Sequence, residues 1–299
     1  MKVRVGFGLG TSTSGGGAEG FASLVDALER HRFDSLWLSE RVTGAAVDPI
    51  VGLSVAAGRT SRLKLGFSVL VLPGRNPMLL AKELASLDVL SNGRLLPAFG
   101  LGVAEPGEQQ AFGVERSERA ARFDEALPLL HRFWTEDEVD HSGRFFSYSA
   151  ARVRPKPQQA PLEVWLGGRA PSELRRVGRL GDGWLPSFCT PDDVAEGKRA
   201  VEAAAADAGR TIDPEHWGAL VIYARESPLP DRLAAIVAAR HPGADPSDVI
   251  PAGPLELRKH LERFIDVGFS KFVVVPAGDP PSWDDELAEL AAEVLPLQH

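Results

Sequence analysis

Residues 86–102 read Ser86-Leu87-Asp88-Val89-Leu90-Ser91-Asn92-Gly93-Arg94-Leu95-Leu96-Pro97-Ala98-Phe99-Gly100-Leu101-Gly102. They join an apolar helix end, an Asn-Gly stop, one basic residue and a buried strand that runs out into glycines. A strand ending in glycine lets a ligand approach the backbone where a side chain would block it. The chemistry this suggests is the holding of a cofactor. Other motifs carry less. Gly6-Phe7-Gly8-Leu9-Gly10, followed by Gly15-Gly16-Gly17, lacks the G-x-G-x-x-G spacing of a dinucleotide loop. The seven histidines (His31, His131, His141, His216, His241, His260, His299) show no metal-ligand spacing, so no metal site is expected. Cys189 lies just past a strand exit without a histidine nearby in sequence, and reads as packing. Arg175-Arg176-Val177-Gly178-Arg179 could contact an anion, although a solvated helix face is the simpler reading.

The elements that must position such a site alternate regularly. Strands are expected at 2–9, 35–39, 64–72, 95–101, 163–166, 183–188, 217–224 and 271–276. Phe21, Leu24, Val25 and Leu28 recur at helical spacing after the first strand. Leu80, Leu84 and Leu87 mark a helix ended by Asn92-Gly93. Thr190-Pro191 is a good cap and first-turn pair for an alanine-rich helix over 192–208. Eight strands in strict alternation with helices specify an α/β fold, a (β/α)8 TIM barrel. Residues 103–160 break the rhythm and read as an insertion after strand four, so residues 1–299 are expected to form a single domain.

Composition bounds the function. The chain has 299 residues, 44% hydrophobic and 25% charged, which is ordinary for a globular enzyme. A formal net charge of −8 argues against a nucleic-acid partner, whose phosphates need a basic footprint. A lone cysteine fits the reducing cytoplasm, and no leader or membrane-length apolar run is expected.

Several runs together resemble the luciferase-like monooxygenase family of TIM-barrel proteins that use flavin or coenzyme F420. They are Asp34-Ser35-Leu36-Trp37-Leu38-Ser39-Glu40, residues 86–102, Gln110-Ala111-Phe112-Gly113 and residues 119–124. The C-terminal set is Arg154-Pro155-Lys156-Pro157, Val164-Trp165-Leu166-Gly167-Gly168 and Leu180-Gly181-Asp182-Gly183-Trp184-Leu185-Pro186. The resemblance implies a cofactor across the C-terminal mouth of the barrel, lying over Leu101 and Gly102. Its phosphate would sit near strand five, on Gly167, Gly168, Arg169 and Ser172. Glycines would admit the phosphate, and a helix N-terminus favours its charge. Ser68-Val69 matches the place where the F420-using branch carries a non-proline cis peptide behind the deazaflavin ring.

Glu40 and Arg41 are the candidate catalytic residues at the exit of strand two. Better-known F420 enzymes tend to have an acidic residue followed by histidine there. Arginine cannot serve as a base near neutral pH, so Arg41 would orient an anionic or carbonyl substrate. Glu40 would relay a proton or form a salt bridge with Arg41 or Arg59. The implied activity is F420-dependent hydride transfer with a small organic substrate. The alternatives are an FMN-dependent monooxygenase and a non-catalytic cofactor-binding barrel. A barrel lyase or isomerase would need a strand-end lysine or carboxylate cluster, whereas Lys64 and Lys271 stand at strand starts. Phe112, Phe145, Phe146 and Tyr148 are expected either to line the pocket or to pack the insertion. A homodimer is common in the resembled family.

Overall fold

The computed structural model describes residues 1–299 apart from Ser12, Ser14 and Ala244. It opens with β1 (Arg4–Leu9), α1 (Gly17–Arg30), β2 (Ser35–Leu38), α2 (Pro49–Arg59), β3 (Lys64–Phe67), β4 (Leu70–Val71), α3 (Pro77–Leu90), β5 (Leu95–Leu96) and β6 (Ala98–Gly100). There follow α4 (Pro106–Phe112), α5 (Arg119–Thr135), β7 (Val139–Ser142) and β8 (Ser147–Ala151). The remainder is β9 (Trp165–Leu166), α6 (Pro171–Leu180), β10 (Gly183–Trp184), α7 (Pro191–Asp207), β11 (Gly218–Tyr223), α8 (Asp231–Arg240), α9 (Pro254–Asp266), β12 (Lys271–Pro276) and α10 (Trp283–Val294).

One parallel run pairs in the order β11-β12-β1-β2-β3-β5, and a second in the order β10-β9-β6-β4. β3 and β4 are two halves of one stave, as are β5 and β6, so the runs join through their shared third and fourth staves. Bridges from Trp184 to Trp217 and from Ser187 to Leu220 link β10 to β11 and complete the circle. The result is the expected eight-stave parallel barrel. Its interior is filled by Trp37, Ala98, Trp165, Leu185, Val273 and Val275. Small residues opposite large ones make that filling possible: a Cβ on Gly66 would lie 2.3 Å from the Trp37 ring. Outward residues such as Val5, Phe7, Leu36, Leu38 and Phe67 form the layer under the helices.

Local signals set the element ends. Asn76 accepts from the Met78 and Leu79 amides and starts α3 behind Pro77. Asn92 and Gly93 both take left-handed φ, 61° and 73°, and stop it. Thr190 and Asp193 cap α7 reciprocally. The one basic residue of the 86–102 run is structural. Arg94 donates to the carbonyls of Ala57, Thr60, Leu63 and Ser91 and to the Thr60 hydroxyl.

Segment 103–160 is less of an insertion than its sequence suggests. α5 packs against α3 and α6 in the helical ring, so it is the barrel's own fourth helix. The additions are α4 before it and the antiparallel β7–β8 hairpin after it. Buried Asp88 of α3 returns the chain to the barrel by accepting from the Gln158 and Gln159 amides, at 2.8 and 2.9 Å. Among the described residues, no helix is long and apolar enough to cross a membrane.

Candidate active site at the barrel mouth

The C-terminal ends of the staves open into a cavity of about 740 Å³. Its floor is built around the Ser68–Val69 peptide, which is cis. The Ser39 hydroxyl donates to Ser68 O at 3.0 Å, and the Glu40 amide donates to Val69 O at 3.2 Å. The exit of β2 therefore holds both carbonyls of the break between β3 and β4. Val69 projects inward, and the neighbouring staves have glycine where it passes. A Cβ on Gly100 would sit 2.5 Å from Val69 Cγ2, and one on Gly167 would be 3.2 Å from Cγ1. Gly102, at φ 79°, adopts a conformation side chains rarely take, and lies close to Val71. The glycine ending of the 86–102 run thus serves a packing purpose as well as an open backbone.

Glu40 is buried at the edge of this floor, with a side chain 4% exposed. It accepts from the Val71 amide at 2.6 Å and pairs with Arg75. Burial raises its carboxyl above the ordinary value, an effect that Arg75 and the Val71 amide only partly offset. Arg75 was not anticipated, and it corrects the expected partners. Arg41 pairs instead with Glu105, and Arg59 with Asp26. The loop carrying Arg41 is clamped to α4 by buried Glu108, which accepts from the Val42 and Thr43 amides and the Thr43 hydroxyl.

The far side of the mouth departs further from expectation. Gly167 and Gly168 line the cavity, whereas Arg169 and Ser172 do not. Ser172 is exposed. The Arg169 guanidinium turns away to bond the carbonyls of Phe188 and Arg240 and the His241 ring. The two amides just before α6 are also engaged: Glu173 accepts from those of Arg169 and Ala170, at 2.9 Å each. Arg176 lines this part of the cavity; its basic cluster reads from sequence as a possible anion contact or, more simply, a solvated helix face. Arg176 is buried, pairs with Asp124 at 2.5 Å and lies over the Phe123 ring. Trp184 Nε1 donates to Gly168 O at 2.8 Å and fixes that peptide.

α8 closes the remaining side. Arg232, Leu233, Ile236, Ala239 and Arg240 line the cavity, one helical stripe with an apolar centre and a guanidinium at each end. Phe112, Phe145, Phe146 and Tyr148 do not line it. Phe145 lies between the guanidiniums of Arg122 and Arg144, and Tyr148 packs edge-on to Phe133. Segment 103–160 contributes Val103, Glu105 and Phe123 to the wall instead. Cys189 is buried, and burial pushes its thiol up to about 11, so it stays protonated and packs. Among the described residues no cluster of histidine, cysteine or carboxylate groups could hold a metal ion.

The chain is 28% identical to an F420-dependent glucose-6-phosphate dehydrogenase of Kineococcus radiotolerans, a match covering 92% of each protein. Its fold matches that of an F420-dependent secondary alcohol dehydrogenase bound to an F420-acetone adduct, with a TM-score of 0.83, 18% identity and complete coverage of both chains. A type II Baeyer-Villiger monooxygenase from Pseudomonas putida in complex with FMN matches with a TM-score of 0.76 and 17% identity, over 100% of this chain and 99% of the other. The family model described as luciferase-like monooxygenase matches residues 3–240. With a match of that extent and a glycine-ended barrel mouth of this construction, the chain belongs to the luciferase-like monooxygenase family and is an oxidoreductase.

Proposed function

We propose that the protein is a coenzyme F420-dependent oxidoreductase that moves a hydride between the deazaflavin and a small organic substrate. The observation that carries the reading is the floor of the mouth. Val69, its carbonyl held by the Glu40 amide, projects into a large cavity between glycines of two neighbouring staves. The relative matched over nine-tenths of its length is F420-dependent by name, which supports the same cofactor here.

When bound, F420 supplies a carbon centre that exchanges hydride, and the protein supplies position and electrostatics. Val69 gives the ring an apolar floor. Gly100, Leu101 and Gly102 leave the backbone of the fourth stave open to the cofactor's chain. Gly167 and Gly168 would admit the phosphate, and Arg176, which lines the cavity while paired with Asp124, would add positive potential beside it. Glu40, its carboxyl raised by burial, holds or yields the proton that accompanies the hydride at the substrate oxygen. Leu166, Leu220 and Val275 add apolar lining to the site. We place the enzyme in the cytoplasm, in keeping with its single, buried cysteine.

Tryptophan emission reports on the mouth, because Trp165 packs with Val69 and Trp184 bonds Gly168. Titration with F420 should quench it; alcohols should reduce the oxidised cofactor, and carbonyls or enones should reoxidise the reduced one, each read as a change in absorbance. Quenching by FMN alone would replace F420 with the flavin reading. Tight F420 binding without turnover across the substrate panel would favour a passive binding protein.

A further inference from the structure

We propose that the Arg41–Glu105 ion pair is the substrate-recognition element of this mouth, and that the substrate carries an anionic oxygen group, a carboxylate or phosphate monoester, on an apolar body. The proposal rests on the oxidoreductase reading and adds the substrate's chemical class. It follows from asking which charged groups around the cavity can change partners.

Glu40, Glu173 and Arg176 cannot, while Arg232 and Arg240 sit on α8 at the ends of its apolar stripe. Glu40 is buried between Arg75 and the Val71 amide. Glu173 is committed to two backbone amides, and Arg176 is buried on Asp124. Arg75, bonded to Glu40 and to Val71 O, does not line the cavity. Arg41 differs. It lines the cavity with Glu105, its side chain is 24% exposed and that of Glu105 is 50% exposed. Its guanidinium also makes a long 3.4 Å bond to the Thr43 hydroxyl. A half-exposed ion pair contributes little to stability, so a second anion can take the place of Glu105 at small cost. Guanidinium donors match the paired oxygens of a carboxylate or phosphate.

The arginine is also held in place for that exchange. Buried Glu108 bonds the two residues that follow it in the loop, so the backbone does not have to move when Glu105 leaves. Arg119 donates to Val103 O at 2.6 Å and steadies the other end of the segment that carries Glu105. One wall of the cavity offers a hydrocarbon surface, from Leu220 and Ile222 on β11 to Leu233 and Ile236 on α8. Such a pairing of an exchangeable cation with an apolar wall, flanked by Arg232 and Arg240 of α8, suits an amphiphilic anion.

The test titrates the protein, with F420 present, against hexanoate, hexyl phosphate and neutral hexanamide by calorimetry. The expected result is binding of at least one anionic probe ten-fold or more tighter than hexanamide. Glu105→Gln should tighten that probe several-fold, because the competing carboxylate is gone, and Arg41→Met should abolish the preference. Which anion binds better distinguishes a carboxylate from a phosphate ester. Equal binding of all three probes, binding of none, or a preference that survives Arg41→Met overturns the proposal. Tryptophan quenching by F420 is read on every variant. Its absence in the wild-type protein would sink the cofactor reading, whereas its retention with no anion preference would sink only this one.

Discussion

The two ends of the barrel spend similar charged residues in opposite ways. At the base, Asp34 is buried among Lys271, Lys64 and Arg4, with Lys271 in contact and the others at 3.4 and 3.7 Å. Arg94 spreads its donors over four carbonyls and a hydroxyl, and Glu29 collects three backbone amides and a hydroxyl. Every one of these groups closes a loop against the barrel floor. At the mouth, Glu40 carries a carboxyl raised by burial, Arg41 is paired with a half-exposed partner, and two arginines of α8 face the cavity. Charge fully committed to the chain holds the fold, and charge left exchangeable or protonatable is available for function.

The sharpest way to break this comparison is a matched pair of substitutions. Asp34→Asn leaves Lys271 buried without its partner and should cost about 3–5 kcal/mol in urea unfolding, with kcat of the surviving folded protein little changed. A large loss of kcat at unchanged stability would erase the distinction. Burial works to raise the Asp34 carboxyl, but Lys271 and Lys64 hold it below its ordinary value. Its folded pKa is thus depressed, so its contribution is present above the unfolded value of about 4 and is lost as pH falls through the lower folded value. Unfolding measured from neutral to acid pH should show that loss in the wild type and a flatter curve in Asp34→Asn.

At the mouth, Glu40→Gln should lower the rate of hydride transfer by about 10²–10⁴-fold while F420 still quenches tryptophan. Because the Glu40 pKa is raised, alcohol oxidation that needs the ionised carboxylate should fall as pH drops, with a midpoint above the ordinary glutamate value. The variant should lack that limb. A pH profile identical to wild type would reduce Glu40 to a salt-bridge partner of Arg75.

The smallest effect is expected at Arg176. Arg176→Met keeps the hydrocarbon stem over Phe123 and removes the charge, so F420 affinity should fall about ten-fold, close to 1.4 kcal/mol. Arg169→Met should leave that affinity within about two-fold, since its guanidinium points elsewhere. The reverse ranking would restore Arg169 to the phosphate site.

Much of this molecule follows from its sequence alone. Strand and helix periods, the Asn92-Gly93 stop and the Thr190-Pro191 cap are local, because each depends on residues within one turn or one strand. Together they specified eight staves and eight strand exits, and the exits of the second, third, fourth and fifth carry Glu40, Arg41, Ser68, Val69, Leu101, Gly102, Gly167 and Gly168. Tertiary structure decided which charges meet. Arg75 reaches Glu40 across 35 positions, Glu105 reaches Arg41 across 64, and Asp124 draws Arg176 inward across 52. It also turned Arg169 away, made α5 a barrel helix and set aromatic residues of the β7–β8 hairpin against α5 rather than the cavity. The reason is physical. A side chain's partner is fixed by where two distant backbones pack, and neither the spacing nor the type of the residue records that distance.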